Sequence, residues 1–377
     1  MTGEPGIPDR RPGVLHVIPG LGLGGAEAML TSLVTAPGRR TDPIVADLLS
    51  GGENAARLRT ANVPLFELGS RGVIGFAAAV RRLAHLIRER EPRAIQGWMY
   101  YGDLAATLAL RLSGRRRATG LYWGVRCSDM EIERYGRPLR MAVAACRRLS
   151  GVPNAVIANS EAGRDVHRAL GYRAKVFEVI ENGIDVERFQ PDRSAREAVR
   201  QELGIATTAK VVILPARVDP MKDHETFLAA LERLPKVVAL AVGLGTDKLD
   251  ARPNLIGLGP RSDMAALYNA ADLIVLSSAY GEGFSTVLGE AMACGRSAVV
   301  TDVGDAARIV DDTGSVVPPR DPAALADAIN AFLALPASER SARGSAARAR
   351  MVERFSLGRA LERFETLYID GPLQGAS

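Results

Sequence analysis

Short apolar runs and stretches of helical periodicity alternate along most of this chain. Residues 14–19 (Val-Leu-His-Val-Ile-Pro) predict a buried strand, followed by a glycine loop and a helix from about Ala26. Residues 43–49 predict a second strand. Phe76, Val80, Leu83, Leu86 and Ile87 recur at helical spacing, so residues 75–91 predict an amphipathic helix, and 94–97 return as a strand. The alternation restarts with a strand over 210–216, a loop over 217–224 and a helix over 225–234. Further apolar runs follow at 237–243, 254–258 and 273–277. Strands alternating with helices of this length predict parallel sheets covered on both faces. Between the two series, Asn182-Gly183 and Pro191 carry the marks of a linker. The pattern predicts two doubly wound α/β domains, residues 1–190 and 191–377, with a last helix over about 359–368 packing back on the first. Open parallel sheets take ligands at the carboxyl ends of their strands, so two facing sheets would place chemistry in the cleft between them.

Composition narrows the class. Of 377 residues, 47% are hydrophobic and 24% charged, enough apolar surface for folded cores and too much for a disordered chain. No apolar run approaches 18 residues, so no transmembrane helix is expected. The first dozen residues lack an apolar h-region, so no secretory signal is expected either. Three scattered cysteines (Cys127, Cys146, Cys294) suit a reducing cytoplasm better than a disulfide framework. Charge is uneven: residues 1–190 carry 27 Lys and Arg against 19 Asp and Glu, and the remainder 21 against 24. The basic half predicts either solvated helix faces or a surface turned toward something anionic, such as a membrane or an anionic acceptor. Residues 138–149, with Arg140, Arg147 and Arg148, predict a basic amphipathic surface helix. No basic motif interleaved with aromatics accompanies the charge, so nucleic acid is not an expected partner.

Two segments carry candidate chemistry. Gly20-Leu21-Gly22-Leu23-Gly24-Gly25 follows a strand, opens a helix and fits G-x-G-x-x-G, with Asp47 some way downstream. Small residues there let backbone N–H groups at a helix N-terminus approach an anion, a phosphate first of all. A purely structural turn and a dinucleotide pocket are the alternatives. Residues 279–295 read Ala-Tyr-Gly-Glu-Gly-Phe-Ser-Thr-Val-Leu-Gly-Glu-Ala-Met-Ala-Cys-Gly. Glu282 falls in a glycine-flanked loop, Ser285 is placed to cap a helix through Cys294, Gly295 to close it, and Glu290 lies inside it. The N–H groups around Gly283, Phe284 and Ser285 would form a second anion site.

Glu282, seven intervening residues and Glu290 resemble the E-x7-E segment of family 4 retaining glycosyltransferases. Gly24-Gly25-Ala26-Glu27 resembles that family's N-terminal glycine loop. Asn159-Ser160-Glu161 and Ile180 to Asp185 resemble the end of its first domain. Arg217 through Lys222 resembles its basic pair, and Gly259 to Leu276 the segment before the glutamates. The resemblance spans roughly residues 14–320 and implies the GT-B fold, two Rossmann-like domains facing across a cleft. It implies transfer of a sugar from a nucleotide sugar, UDP-linked in the first instance, to a hydroxyl of a glycan or lipid-linked acceptor. On it, Arg217 and Lys222 would hold the diphosphate, Glu290 the ribose and Glu282 the donor sugar. Gly24, Gly25, Gly283, Phe284, Ser285 and Thr286 would line the donor, with Arg261 as a neighbour of the base. Two cations and helix N-termini suit a leaving diphosphate whose charge grows during transfer. No cofactor and no metal are implied, and the absence of a D-x-D pair argues against the metal-dependent glycosyltransferase fold.

One departure stands out. Where many family members have a His in the first domain, Leu121 to Asp129 places Arg126. That replaces a titratable imidazole with a fixed cation, either a phosphate ligand or a salt-bridged structural residue. Trp98, Tyr100, Tyr122 and Trp123 concentrate aromatic faces near the same strand ends, for stacking on an acceptor or for core packing. An epimerase or hydrolase of the same fold, a non-catalytic sugar-nucleotide-binding subunit and a dehydrogenase are the competing functions. The expected setting is the cytoplasm, peripheral at the inner face of the membrane.

Overall fold

The computed structural model describes residues 11–22, 24–128 and 136–371; Leu23 of the glycine loop and Asp129 of the Arg126 segment fall outside them. Both series of apolar runs form parallel sheets. The first contains β1 (Gly13–Ile18), β2 (Asp42–Asp47), β3 (Leu65–Glu67), β4 (Ala94–Gly97), β5 (Gly120–Val125), β6 (Ala155–Ala158) and β7 (Phe177–Val179), in the spatial order β3-β2-β1-β4-β5-β6-β7. The second contains β8 (Lys210–Pro215), β9 (Val237–Val242), β10 (Leu255–Gly257), β11 (Leu273–Leu276), β12 (Ser297–Thr301) and β13 (Ser315–Val317), in the order β10-β9-β8-β11-β12-β13. Strands such as Ala-Val-Ile-Ala and Leu-Ile-Val-Leu are buried along their whole length, as a parallel sheet under helices on both faces requires.

Each sheet reverses its strand order once, between β1 and β4 and between β8 and β11. Loops leaving two strands at such a reversal run apart and open a crevice. The glycine loop follows β1 and the Arg217–Lys222 loop follows β8, while the Glu282 loop follows β11. The expected two Rossmann-like sheets thus bring most of the candidate residues to their switch points.

The chain crosses between the lobes twice, side by side. Ile184 donates its N–H to the Phe355 carbonyl at 2.7 Å, and Leu357 donates to the Ile184 carbonyl at 2.8 Å. After the second crossing, the helix Leu357–Asp370 packs on the first lobe, burying Leu361, Phe364, Leu367 and Tyr368 with Val14, Ile18 and Trp98. Its Glu365 carboxylate accepts from the N–H groups of Arg40 and Thr41 and from the Thr41 hydroxyl. Tyr122 donates its hydroxyl to the Leu367 carbonyl at 2.6 Å.

Candidate active site

The loop after β11 and the helix Thr286–Ala293 form the centre of the site. Gly295, at φ +72°, ends the helix in the left-handed region, as its C′ position favours. Ser285 occupies the N-cap position, but its side chain accepts no hydrogen bond from the helix, contrary to the capping role expected of it. The N–H groups of Gly283, Phe284 and Ser285 make no hydrogen bond to any described residue, so they remain available to an acceptor. The Phe284 ring packs into the second core against Phe355, leaving only its backbone to the site. Gly304, at φ +61°, passes directly over the Glu282 carbonyl, where any side chain would collide.

Glu282 is buried and its carboxylate is shared. Lys222 forms a short ion pair with Oε1, and Ser278 donates its hydroxyl to the same oxygen at 2.7 Å. From the first lobe, Ser128 donates to the Glu282 backbone carbonyl. The basic loop after β8 is therefore tied to the acidic loop after β11. Arg217, on the same loop as Lys222, is exposed and folds onto Asp219 with Nε and Nη2 at 3.1 and 2.9 Å. Burial alone would raise the Asp219 carboxyl, but the Met221 N–H and the charges of Arg217 and Lys222 outweigh it and hold it below its ordinary value. Both predicted diphosphate cations thus already act on a carboxylate, as they would on a phosphate.

Glu290 faces Tyr268, whose hydroxyl donates to Oε2 at 2.9 Å. Burial pushes the Glu290 carboxyl up to about 7, against the opposing pull of the Tyr268 hydroxyl and the Arg188 charge. Thr286 accepts a hydrogen bond from Asn182 Nδ2 at 3.0 Å. The Arg261 guanidinium is held by both Asp263 oxygens at 2.8 and 2.6 Å and by Glu202 at 3.0 Å, and among the described residues no hydrogen bond joins it to Glu282 or Glu290.

In the first lobe, Trp98 and Tyr100 are core residues, and the acceptor-stacking role does not fit either. Trp98 is fully buried, donates Nε1 to His16 at 3.2 Å and stacks on Phe364. Burial lowers the His16 imidazole to about 3. Tyr100 is buried with its hydroxyl against His167 Nε2 at 2.8 Å. Arg126, at the end of β5, lies 4.4 Å over the Trp98 ring and donates Nη1 to Asn182 Oδ1 at 3.2 Å. Among the described residues its Nε and Nη2 have no partner, and burial lowers the guanidinium to about 10 despite the fields of Tyr368 and Asp103. Among those residues Arg126 is held by an aromatic face and one amide, with no salt bridge.

The glycine loop is the least complete part. Gly24 takes the N-cap position of the helix Gly25–Thr35 without a side-chain cap, and the Glu27 carboxylate folds back against it. Gly25 faces open space. Asp47 ends β2 fully buried, accepting the Leu49 N–H at 3.1 Å, and burial raises it to about 6. That buried position leaves it no reach toward a ribose.

Comparison with known proteins fits this geometry. Residues 23–188 match the family model described as Glycosyltransferase Family 4, and residues 195–350 the one described as Glycosyl transferases group 1. The chain belongs to the family 4 glycosyltransferases. Its GT-B fold is shared with Anabaena HepE, solved with UDP-glucose, at a TM-score of 0.80 and 25% identity over 94% of this chain and 99% of that one. Sucrose-phosphate synthase from Thermosynechococcus elongatus shares the fold at a TM-score of 0.79, 19% identity and 96% and 99% coverage. The D-inositol 3-phosphate glycosyltransferase of Xylanimonas cellulosilytica is 31% identical over 201 residues, 48% of each chain. That of Mycobacterium tuberculosis is 31% identical over 219 residues, 53% of this chain and 45% of the relative. The chain spans about half the length of the curated relatives it matches.

Several residues of this glycosyltransferase's site have no counterpart in the expectations above. Asp219 sits between the two cations in sequence, so its pairing was open to inference from spacing. Ser278 and Tyr268 reach Glu282 and Glu290 from within the second lobe, while Ser128 crosses from the first lobe to the Glu282 carbonyl and Asn182 joins Arg126 to Thr286.

Proposed function

We propose that this glycosyltransferase moves a sugar from a UDP-sugar to a hydroxyl of a glycan or lipid-linked acceptor, with retention at the anomeric carbon and without a divalent metal. The observation that carries the reading is the Lys222–Glu282 pair next to the N–H groups of Gly283, Phe284 and Ser285, which no described residue accepts. A diphosphate laid there meets a cation, a helix N-terminus and, once Arg217 turns from Asp219, a second cation. Charge growing on the leaving phosphate is then stabilised by groups already in place. Glu282, released from Lys222, orients the donor sugar; Glu290 accepts the ribose hydroxyls. A leaving phosphate oxygen takes the proton of the attacking hydroxyl, so no side-chain nucleophile is required. The UDP-glucose complex of Anabaena HepE supports the choice of base.

The test is thermal unfolding against UDP, GDP, ADP, TDP, NAD and NADP, followed by donor turnover with and without EDTA and NMR of the product anomer. A ligand at a hundred times its dissociation constant adds about 2.7 kcal/mol, readily seen in the midpoint. Stabilisation by UDP alone supports the donor. Stabilisation by GDP alone corrects the base, and by NAD alone ends the transferase reading. Turnover abolished by EDTA, or an inverted anomer, ends the corresponding part.

The acceptor side is proposed to work at the inner face of the membrane. Among the described residues no helix is long and apolar enough to cross one. The helix Arg137–Leu149 buries Ala142, Val143 and Cys146 and leaves Met141 exposed among Arg137, Arg140, Arg147 and Arg148, a surface that suits anionic headgroups. Cosedimentation with anionic liposomes at low salt, lost on replacing Arg140 and Arg147 by Gln, is expected. Protein left in the supernatant at low salt ends this part.

A further inference from the structure

The two chain crossings enclose a second cationic cavity. It has a volume of about 190 Å³ and is lined by Arg308, Arg354, Arg359 and Arg363 around a single carboxylate, Glu181, with the backbone at Asn182 in its wall. Glu181 is already held by Arg308 at 2.9 Å and Arg363 at 3.1 Å. Arg308 also pairs with Asp305, and Arg363 lies 4.0 Å from Glu178, both outside the lining. Among the described residues Arg354 makes no ion pair or hydrogen bond through its side chain, and Arg359 makes one, from Nη1 to the Glu353 carbonyl. Two exposed arginines therefore line this cavity with no carboxylate paired to them. Their planar forks match a phosphoryl group. The volume corresponds to roughly six waters and falls below the range of about 300–1,000 Å³ usual for organic ligands, which favours orthophosphate or pyrophosphate over a nucleotide.

The place of this cavity gives it a consequence. Its wall consists of the two crossings, Ile180–Gly183 and Phe355–Ser356, which are bonded to each other through Ile184. The Asn182 side chain, rooted in that wall, reaches both Arg126 of the first lobe and Thr286 at the start of the donor-side helix. We propose that the hinge cavity is a phosphoryl-anion site that sets the spacing of the two lobes and, through Asn182, the affinity of the donor site; the second clause rests on the donor reading above. An anion that binds one lobe spacing better than another shifts the population toward it, and the coupling is reciprocal.

Binding of orthophosphate and of pyrophosphate is measured by calorimetry on the full chain, with chloride at matched ionic strength as control. The Arg217→Gln/Lys222→Gln variant excludes the donor site, and Arg354→Gln/Arg359→Gln removes the unpaired hinge cations. The site predicts pyrophosphate binding that survives the first pair of substitutions and weakens about tenfold or more with the second. Unfolding of the anion-free second variant is expected to match the parent. The orthophosphate arm tells whether one phosphoryl group suffices. Binding lost with the donor-site substitutions, undiminished by the hinge substitutions, or absent, overturns the site. For the coupling, UDP affinity is measured with and without pyrophosphate in the parent and in Arg354→Gln/Arg359→Gln. Competition at the donor site is common to both proteins, so a difference between them supports coupling and equal responses overturn it. A chain that binds pyrophosphate at the hinge and no UDP upholds the site and sinks the donor reading and the coupling.

Discussion

The Lys222 ammonium is paired with the Glu282 carboxylate, joining the loops that leave β8 and β11 on either side of the switch point in the second sheet. Each group is mostly buried, so each depends on the other for compensation. A diphosphate would take Lys222 and free Glu282 for the sugar. Lys222→Gln is therefore expected to weaken UDP binding and lower transfer by about a hundredfold or more, the scale seen when one group stabilising transition-state charge is lost. Glu282→Gln is expected to lower transfer while leaving UDP affinity nearly intact. Calorimetry with UDP beside initial rates separates the two, and the opposite pattern would assign Glu282 to the nucleotide.

Glu290 carries a pH dependence with a definite sign. Its carboxyl titrates near 7 in the folded chain against an ordinary value of 4.5, so the folded state holds a proton that the unfolded state has released between those values. The Glu290 contribution is thus fully present below about 4.5 and is lost as pH rises to about 7, on the order of 1–3 kcal/mol. Ribose hydroxyls bond best to the ionised form, so UDP affinity is expected to increase from pH 6 to 8 by a factor that Glu290→Gln lacks. Denaturant midpoints and UDP titrations on both proteins read the two effects. Parallel profiles would remove Glu290 from the ribose.

Arg126 holds its place by its plane. The guanidinium lies over Trp98 and reaches Asn182 with one nitrogen, and a lysine ammonium reproduces neither the stacking nor the fork. Arg126→Lys is expected to cut the transfer rate about tenfold or more, since the Asn182 link to Thr286 loses its first-lobe anchor. On the proposed donor site in the second lobe, UDP affinity is expected to fall less than the rate, through the Asn182 link alone. Rates at saturating donor beside UDP titration provide the measurement. A loss of affinity equal to the loss of rate would instead place Arg126 on the donor.

The sheets were legible because buried parallel strands are short, continuous apolar runs, and β8, β9 and β11 stand out as such. The glutamates were legible because Glu282 and Glu290 lie on one continuous loop and helix, where spacing is geometry. Arg261 shows a mixed case: Asp263 lies two residues away and was open to inference from spacing, whereas Glu202 comes from a distant helix and left no local mark. Trp98 and Tyr100 could not be sorted between acceptor and core, since the residues covering Trp98 include Phe364, more than 260 positions away. Long-range closure of this kind leaves no local mark.

That closure gives a last prediction. The helix Leu357–Asp370 is the last among the described residues and follows helices that pack on the second lobe, yet Phe364 is fully buried in the first, stacked at 6.2 Å on Trp98 beneath Arg126. Phe364→Ala removes a large core side chain and is expected to cost about 3–5 kcal/mol. The loss should fall on the first lobe. In urea, a Trp fluorescence transition is expected to move to lower denaturant, because Trp98 and Trp123 lie in the two apolar cores of the first lobe. On the proposed donor site in the second lobe, UDP is expected to keep its affinity below that transition. A fragment of residues 11–190 lacks the whole helix, and with it the partners of Gln96, Thr41 and Tyr122, so it is expected to remain unfolded until a peptide of residues 355–371 is added. A fragment that folds by itself, or a Phe364→Ala protein whose Trp transition stays in place, would show that the first lobe does not need the returning helix.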